Sequence, residues 1–189
     1  MPALEQNSRT FPASQHVGIH RFKAEFYDKH ASKEKIDALV VWTTIRTLIK
    51  GSIEAFQSPK CVLSNDDFVS SEKLGKNRCK ISPDLHEYVY DMFLQYSKFI
   101  KNQHLWDDSD RFVSLLWRLL DAKSSNSTYY EKVRRSNVYV DEIQDYSQVE
   151  ILLFFYLGGP GGLFLAGDPA QSVVEGTDFH FEAIRTGAT

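Results

Sequence analysis

The sequence predicts an α/β chain in which a mainly helical region precedes two parallel strands joined by a helix. Three observations carry that expectation. Apolar residues recur at three- and four-residue spacing through about residue 120; the pattern changes at VYVD, residues 138–141, to a short β-branched run; and a second strand-like run, LFLAG, residues 163–167, follows an apolar helix and a glycine-rich loop. Strand, helix, strand over so short a span is a βαβ unit, whose crossover should be right-handed.

Taken in order, residues 1–17 are polar, contain Pro2 and Pro12, and are expected to fray. Ile19, Phe22 and Phe26 open the helical pattern, and Ile36, Leu39, Val40, Ile45, Leu48 and Ile49 extend it to a stop at Gly51. Ser64 with Asp67 resembles a capping box opening a short helix at NDDFVSSEKL. Ser82-Pro83 is a hydroxyl cap with proline in the first turn, and Leu85, Val89, Met92, Phe93, Tyr96, Phe99 and Ile100 form one apolar stripe behind it. A helix from about Asp108 should end in the polar run SSNST, which makes the best domain boundary. Ser147 caps the helix QVEILLFFYL, GGPGG at 158–162 is a tight turn, and FHFEAIR closes the chain as a helix.

Bulk properties exclude several classes. With 189 residues, 42% hydrophobic and 13% aromatic, the chain folds into one sizeable core or two small ones. A formal charge of −3 gives no global pull toward nucleic acid, so any such contact is local. Cys61 and Cys79 lack CxxC spacing and a neighbouring histidine pair, and are expected to be reduced thiols. His16, His20, His30, His86, His104 and His180 show no ligand spacing and are assigned no metal. The N-terminus has no apolar core of signal length, so an intracellular protein is expected, in nucleus or cytoplasm. The uncharged stretch 151–167 is cut by GGPGG and predicts no membrane span.

The chemistry sits at the strand ends. Ligands of open parallel sheets collect at the carboxyl ends of strands, so Asp141 and Asp168 are expected at one rim. Magnesium is usually held by one or two carboxylates plus substrate phosphates, a task that suits Asp141. Glu142 points elsewhere and is placed to deprotonate a water attacking a γ-phosphate, while the amide of Gln171 in GDPAQ is placed to sense phosphate or that water. The bland alternative for a bare DE pair is a turn or helix cap; two ordered acidic strand ends favour function.

VDEIQD followed by LAGDPAQSV resembles motifs II and III of the UvrD/Rep-like superfamily 1 helicases, ATP-driven motors on single-stranded DNA or RNA. The wording from EILLFFYLGGPGG to FHFEAIR is similar to the helicase-like region of large proteins containing TPR and ankyrin repeats. The specific match covers about residues 137–186. The resemblance implies a partial RecA-like P-loop NTPase sheet preceded by a helical insertion, with ATP and Mg2+ as cofactors. It further implies Asp141 as metal ligand, Glu142 as base, Gln171 as γ-phosphate sensor, Asp168 in support, and Gln144 with Asp145 beside the nucleotide cleft. Residues 18–128 would be the accessory domain and 129–189 part of the ATPase domain.

The chain also departs from that pattern. Such an ATPase needs GxxxxGK[ST] to surround the phosphates, and the 189 residues contain none; at Gly75-Lys76, Ser70 replaces the first glycine and Asn77 the hydroxyl. A second motor domain supplying an arginine is also expected to lie elsewhere, so the chain is expected to be incomplete and inactive alone. Phe179 and Phe181 are candidates for base stacking, with core packing the stronger alternative. Lys73, Lys76, Arg78 and Lys80, or Lys132, Arg134 and Arg135, are local candidates for phosphate contacts, against a plain solvated face. Two other classes stay open: a non-enzymatic interaction module that kept the fold, and a metal phosphohydrolase using Asp141 and Asp168.

Overall fold

A computed structural model describes residues 10–31, 36–69, 81–158 and 161–168. The helix expected at FHFEAIR, the basic run at 73–80 and Cys79 lie outside the described residues. Among the described residues the chain is helix-rich, with two pairs of short parallel strands.

Strand β1, His16–Val17, pairs in parallel with β2, Trp106–Asp107. Residues 10–17, expected to fray, are therefore pinned: Val17 is fully buried, and the Trp106 indole N–H donates to the Pro12 carbonyl at 2.8 Å. Strands of two residues carry no periodicity, so neither was legible. Helix α1 follows as three continuous pieces, Ile19–Arg21, a π-type Phe22–Tyr27 and Asp28–His30. Helix α2, Ala38–Thr44, starts at Asp37, whose carboxylate accepts the Leu39 N–H, and continues as a π-type segment Ile45–Ile49 before Gly51. Two short helices come next, α3 at Ile53–Gln57 and α4 at Asn65–Val69; the Ser64 hydroxyl accepts the Asp67 N–H at 3.1 Å, as a cap should.

Helix α5, His86–Asn102, buries Val89, Met92, Phe93, Tyr96 and Ile100 on the expected stripe. Its entry differs from expectation: Pro83–Leu85 forms a 3-10 turn, and the Ser82 hydroxyl bonds the Asp84 carboxylate instead of capping the helix. A nearby acid outcompeted the backbone for that hydroxyl. The rings of Phe22 and Phe26 meet Tyr96 at 5.1 and 5.4 Å, at the centre of a core shared by α1, α2 and α5.

Helix α6, Asp108–Ser125, opens with a full capping box between Asp107 and Asp110. It runs into SSNST, where Asn126 ends it and caps a further helix, α7, Ser127–Val133, that the polar composition concealed. Helix α8, Gln148–Gly158, lies between strands β3, Val138–Val140, and β4, Leu163–Leu165. From Ile151 onward α8 is apolar all round, and the helix packs on both sides. Val149 and Leu153 join Val113, Leu116, Leu119 and Tyr130 in one cluster, while Ile151 joins Val140 and Ile143 in another. Cys61 is a buried free thiol, accepting the Trp117 indole N–H at 3.4 Å. No helix among the described residues is long and apolar enough to cross a membrane.

Candidate active site

The site is built on the register of β3 and β4. Val138, Tyr139 and Val140 lie opposite Leu163, Phe164 and Leu165 in a parallel pair. Alternation turns Val138, Val140, Leu163 and Leu165 toward α8, and leaves Tyr139 and Phe164 stacked on the opposite face with centroids 4.8 Å apart. Because Val140 and Leu165 are partners, both strands end at one edge. Asp141 is the next residue on one strand, and Asp168 lies three positions beyond Leu165 on the other.

Backbone bonds carry the pairing past the strands. The Ala166 N–H donates to the Val140 carbonyl at 2.8 Å, and the Ile143 N–H donates to the Ala166 carbonyl at 3.0 Å. Between them the chain turns sharply: Glu142 is left-handed, with φ 51° and ψ 47°, and Ile143–Asp145 forms a 3-10 turn. That conformation is uncommon for a non-glycine residue. It is held by fully buried Ile143 and by the Asp145 N–H, which donates to the Glu142 carbonyl at 2.9 Å.

Asp141 and Glu142 are both exposed. One Asp141 oxygen, Oδ1, accepts the Glu142 N–H at 2.9 Å, and the side chain is otherwise at the surface. Gln144 donates through Nε2 to Glu142 Oε2 at 2.5 Å, which orients the glutamate. Gly167 closes against this turn: a Cβ there would meet Gln144 Oε1 at 2.5 Å and Ile143 Cγ2 at 2.6 Å. Asp168 is partly buried. Among the described residues no three His, Cys, Asp or Glu side chains group closely enough to hold a metal ion. A cation at Asp141 would draw its remaining ligands from phosphate and water, which is how magnesium is commonly bound.

The structure thus brings Asp141, Glu142, Gln144 and the Gly167-Asp168 segment to one edge. Gln171, Phe179 and Phe181 lie outside the described residues. Of the cations near 132–135, Arg134 pairs with Glu131 at 3.1 Å, and Arg135 donates to the carbonyls of Lys132, Val133 and Arg134. Two residues at the site's rear escaped the sequence reading. Glu150 completes a capping box with Ser147, a signal legible as S-x-x-E, and pairs with Arg46. Nothing in the local pattern announced Arg46.

A family model for the UvrD/REP helicase N-terminal domain matches residues 7–175. The chain belongs to this family. The match reaches far back of the two acidic motifs and takes in the helical region. Human (Homo sapiens) TPR and ankyrin repeat-containing protein 1 is 27% identical over 186 residues, covering 97% of this chain and 6% of that relative. The chain therefore spans a small fraction of the relative's length. No solved structure matches it.

Proposed function

We propose that this chain is the motif-bearing part of an ATP-driven, superfamily 1 motor acting on single-stranded nucleic acid. One observation carries the reading: the parallel register of β3 and β4 delivers the Asp141-Glu142 turn and the Gly167-Asp168 segment to a common edge. In this reading residues 129–189 belong to a RecA-like ATPase domain and residues 18–128 to a helical accessory domain of the kind inserted ahead of motif II.

Asp141 holds Mg2+, which supplies charge neutralisation of the phosphates when bound. Glu142 accepts the proton of the attacking water, and Gln144 keeps its carboxylate in place. Asp168 supports the cleft, and Gln171 contacts the γ-phosphate or the water. The phosphate loop must come from beyond these 189 residues, since they contain no GxxxxGK[ST]. Alone, the chain is expected to turn over no ATP. In a longer polypeptide supplying that loop, Glu142→Gln is expected to abolish hydrolysis while leaving ATP binding intact. Unchanged turnover would remove Glu142 from its role.

The missing loop favours one second reading, a non-catalytic interaction module that retained the helicase fold. It predicts that no phosphate loop accompanies the chain in its full polypeptide, and that nucleic acid and partner binding ignore ATP.

A further inference from the structure

The residues behind the turn form a joint that the two acidic motifs do not include. Arg46 lies in the π-type segment that ends α2, and its Nη2 donates to Glu150 Oε1 and Oε2 at 2.9 and 3.1 Å and reaches the Asp145 carbonyl at 3.5 Å. The Glu150 side chain is only 3% exposed, so its charge needs this partner. Its Oε2 also accepts the Ser147 N–H at 2.6 Å, fixing the first turn of α8. Around this pair the Val149 N–H donates to the Gly51 carbonyl at 3.0 Å, and the Ile53 N–H donates to Gln148 Oε1 at 3.1 Å. A Cβ on Gly51 would fall 2.6 Å from Ser147 Cβ, so the two backbones are in close contact.

The same stretch is braced from the other side. The Arg46 carbonyl accepts the Ser109 hydroxyl at 3.3 Å, and Lys50 reaches Asp107 and Asp110 at 2.6 and 2.9 Å. Residues 45–51 therefore stand between the start of α6 and the segment 145–150. From Asp145, one backbone bond leads to Glu142.

We infer that Arg46 and Glu150 are positioning residues, which set the Asp141–Asp145 turn against the helical region so that the helical region's placement fixes the catalytic carboxylates. This rests on the nucleotide reading of Asp141 and Glu142 only for its functional consequence. The mechanical part is independent of it. An ion pair that merely stabilised the helix ends would leave the turn's geometry unchanged when removed. One that positions the turn would release it, because the Asp145 carbonyl loses a guanidinium held by Glu150, and the acceptor of the Ser147 N–H is no longer fixed by Arg46.

Hydrogen exchange on this chain tests the mechanical part. Arg46→Met and Glu150→Gln are expected to speed exchange across 141–146 by about 10-fold, the effect of losing one well-made charged hydrogen bond, with 108–125 unchanged. Arg46→Lys, which keeps the charge, is expected to restore most of the protection. Glu150→Gln retains an acceptor for Ser147, and gives a folded variant if Arg46→Met does not fold. Faster exchange confined to 45–51 and 148–158, with 141–146 unaltered, overturns the inference. In an ATP-hydrolysing polypeptide containing the chain, Arg46→Met is expected to lower kcat by about 10-fold or more with KM for ATP held within about twofold, as misplacement of catalytic groups does. Loss of hydrolysis in Glu142→Gln without any effect of Arg46→Met sinks the positioning role alone; loosening of 141–146 with normal hydrolysis in Glu142→Gln sinks the nucleotide reading alone.

Discussion

Glu142 and Ile143 are neighbours with opposite duties. Glu142 is exposed in a left-handed turn, and its bond from Gln144 orients it without burying it. Ile143 is fully buried and fastens the turn to α8. Glu142→Gln should therefore shift folding stability by no more than about 0.5 kcal/mol, whereas Ile143→Ala should cost about 2–5 kcal/mol; urea unfolding separates the two. A large loss from Glu142→Gln would mean the acid is there to hold the fold. Gly167 supplies a second residue-level test. Its Cβ would press on Gln144 and on Ile143, so Gly167→Ala should destabilise by about 1–3 kcal/mol, the usual range for overpacking, and disturb the carboxylate that Gln144 orients. The same substitution proving neutral would show that the two strand-end segments are not in close contact.

At the level of the elements, the start of α6 sets Asp107 and Asp110 against the Lys50 ammonium. Asp107 caps the helix through Oδ1, while its Oδ2 takes Lys50 at 2.6 Å and the Tyr96 hydroxyl at 3.1 Å. Burial and Asp110 push the Asp107 carboxyl above its ordinary range, against the pull of Lys50. Removing the ammonium would strand two acids together, so Lys50→Met should cost about 3–5 kcal/mol. The partly exposed pair of Arg21 and Glu25, at 2.9 Å, should be worth less than about 0.5 kcal/mol by the same urea assay. Equal effects would contradict the burial argument. These differences mark what the sequence could carry. The stripe of α5 and the start of α6 were legible because burial of one helix face imposes a period, and VYVD and LFLAG because short β-branched or apolar runs between turn signals read as strands. The strands β1 and β2 were not, being two residues each, and α7 hid in SSNST because its helicity comes from packing Tyr130 beneath α6 and α8. Arg46 and Glu150 are 104 positions apart, a separation no local pattern spans.

For the whole molecule, burial sets the response to alkali. Tyr27 is pushed up to about 12 by burial and then by nearby Tyr88 and Asp37; burial also raises Tyr90, Tyr96 and Tyr130. Burial pulls Lys50 down, but Asp107 and Asp110 more than offset it, so it too is raised. Unfolded, these groups release their protons at about pH 10 to 10.4, while the folded chain keeps them. The unfolded state then binds fewer protons, so this part of the stability is whole below about pH 10 and is lost as pH climbs through the folded values. The urea midpoint should be nearly flat from about pH 8 to 9.5 and fall beyond about 10, less steeply in Tyr96→Phe. A midpoint that rises with alkali would contradict the sign. At this same scale the three hydrophobic clusters join the helical region to the two acidic strand ends, and the question is whether that edge takes a metal-bound nucleotide. Paramagnetic broadening asks it most directly. In a polypeptide joining this chain to a phosphate-binding loop, Mn2+ with a non-hydrolysable ATP analogue should broaden the amide signals of Asp141, Glu142 and Gly167, and Asp141→Asn should restore them. Broadening centred away from the strand ends, or undiminished by Asp141→Asn, would contradict a nucleotide site there.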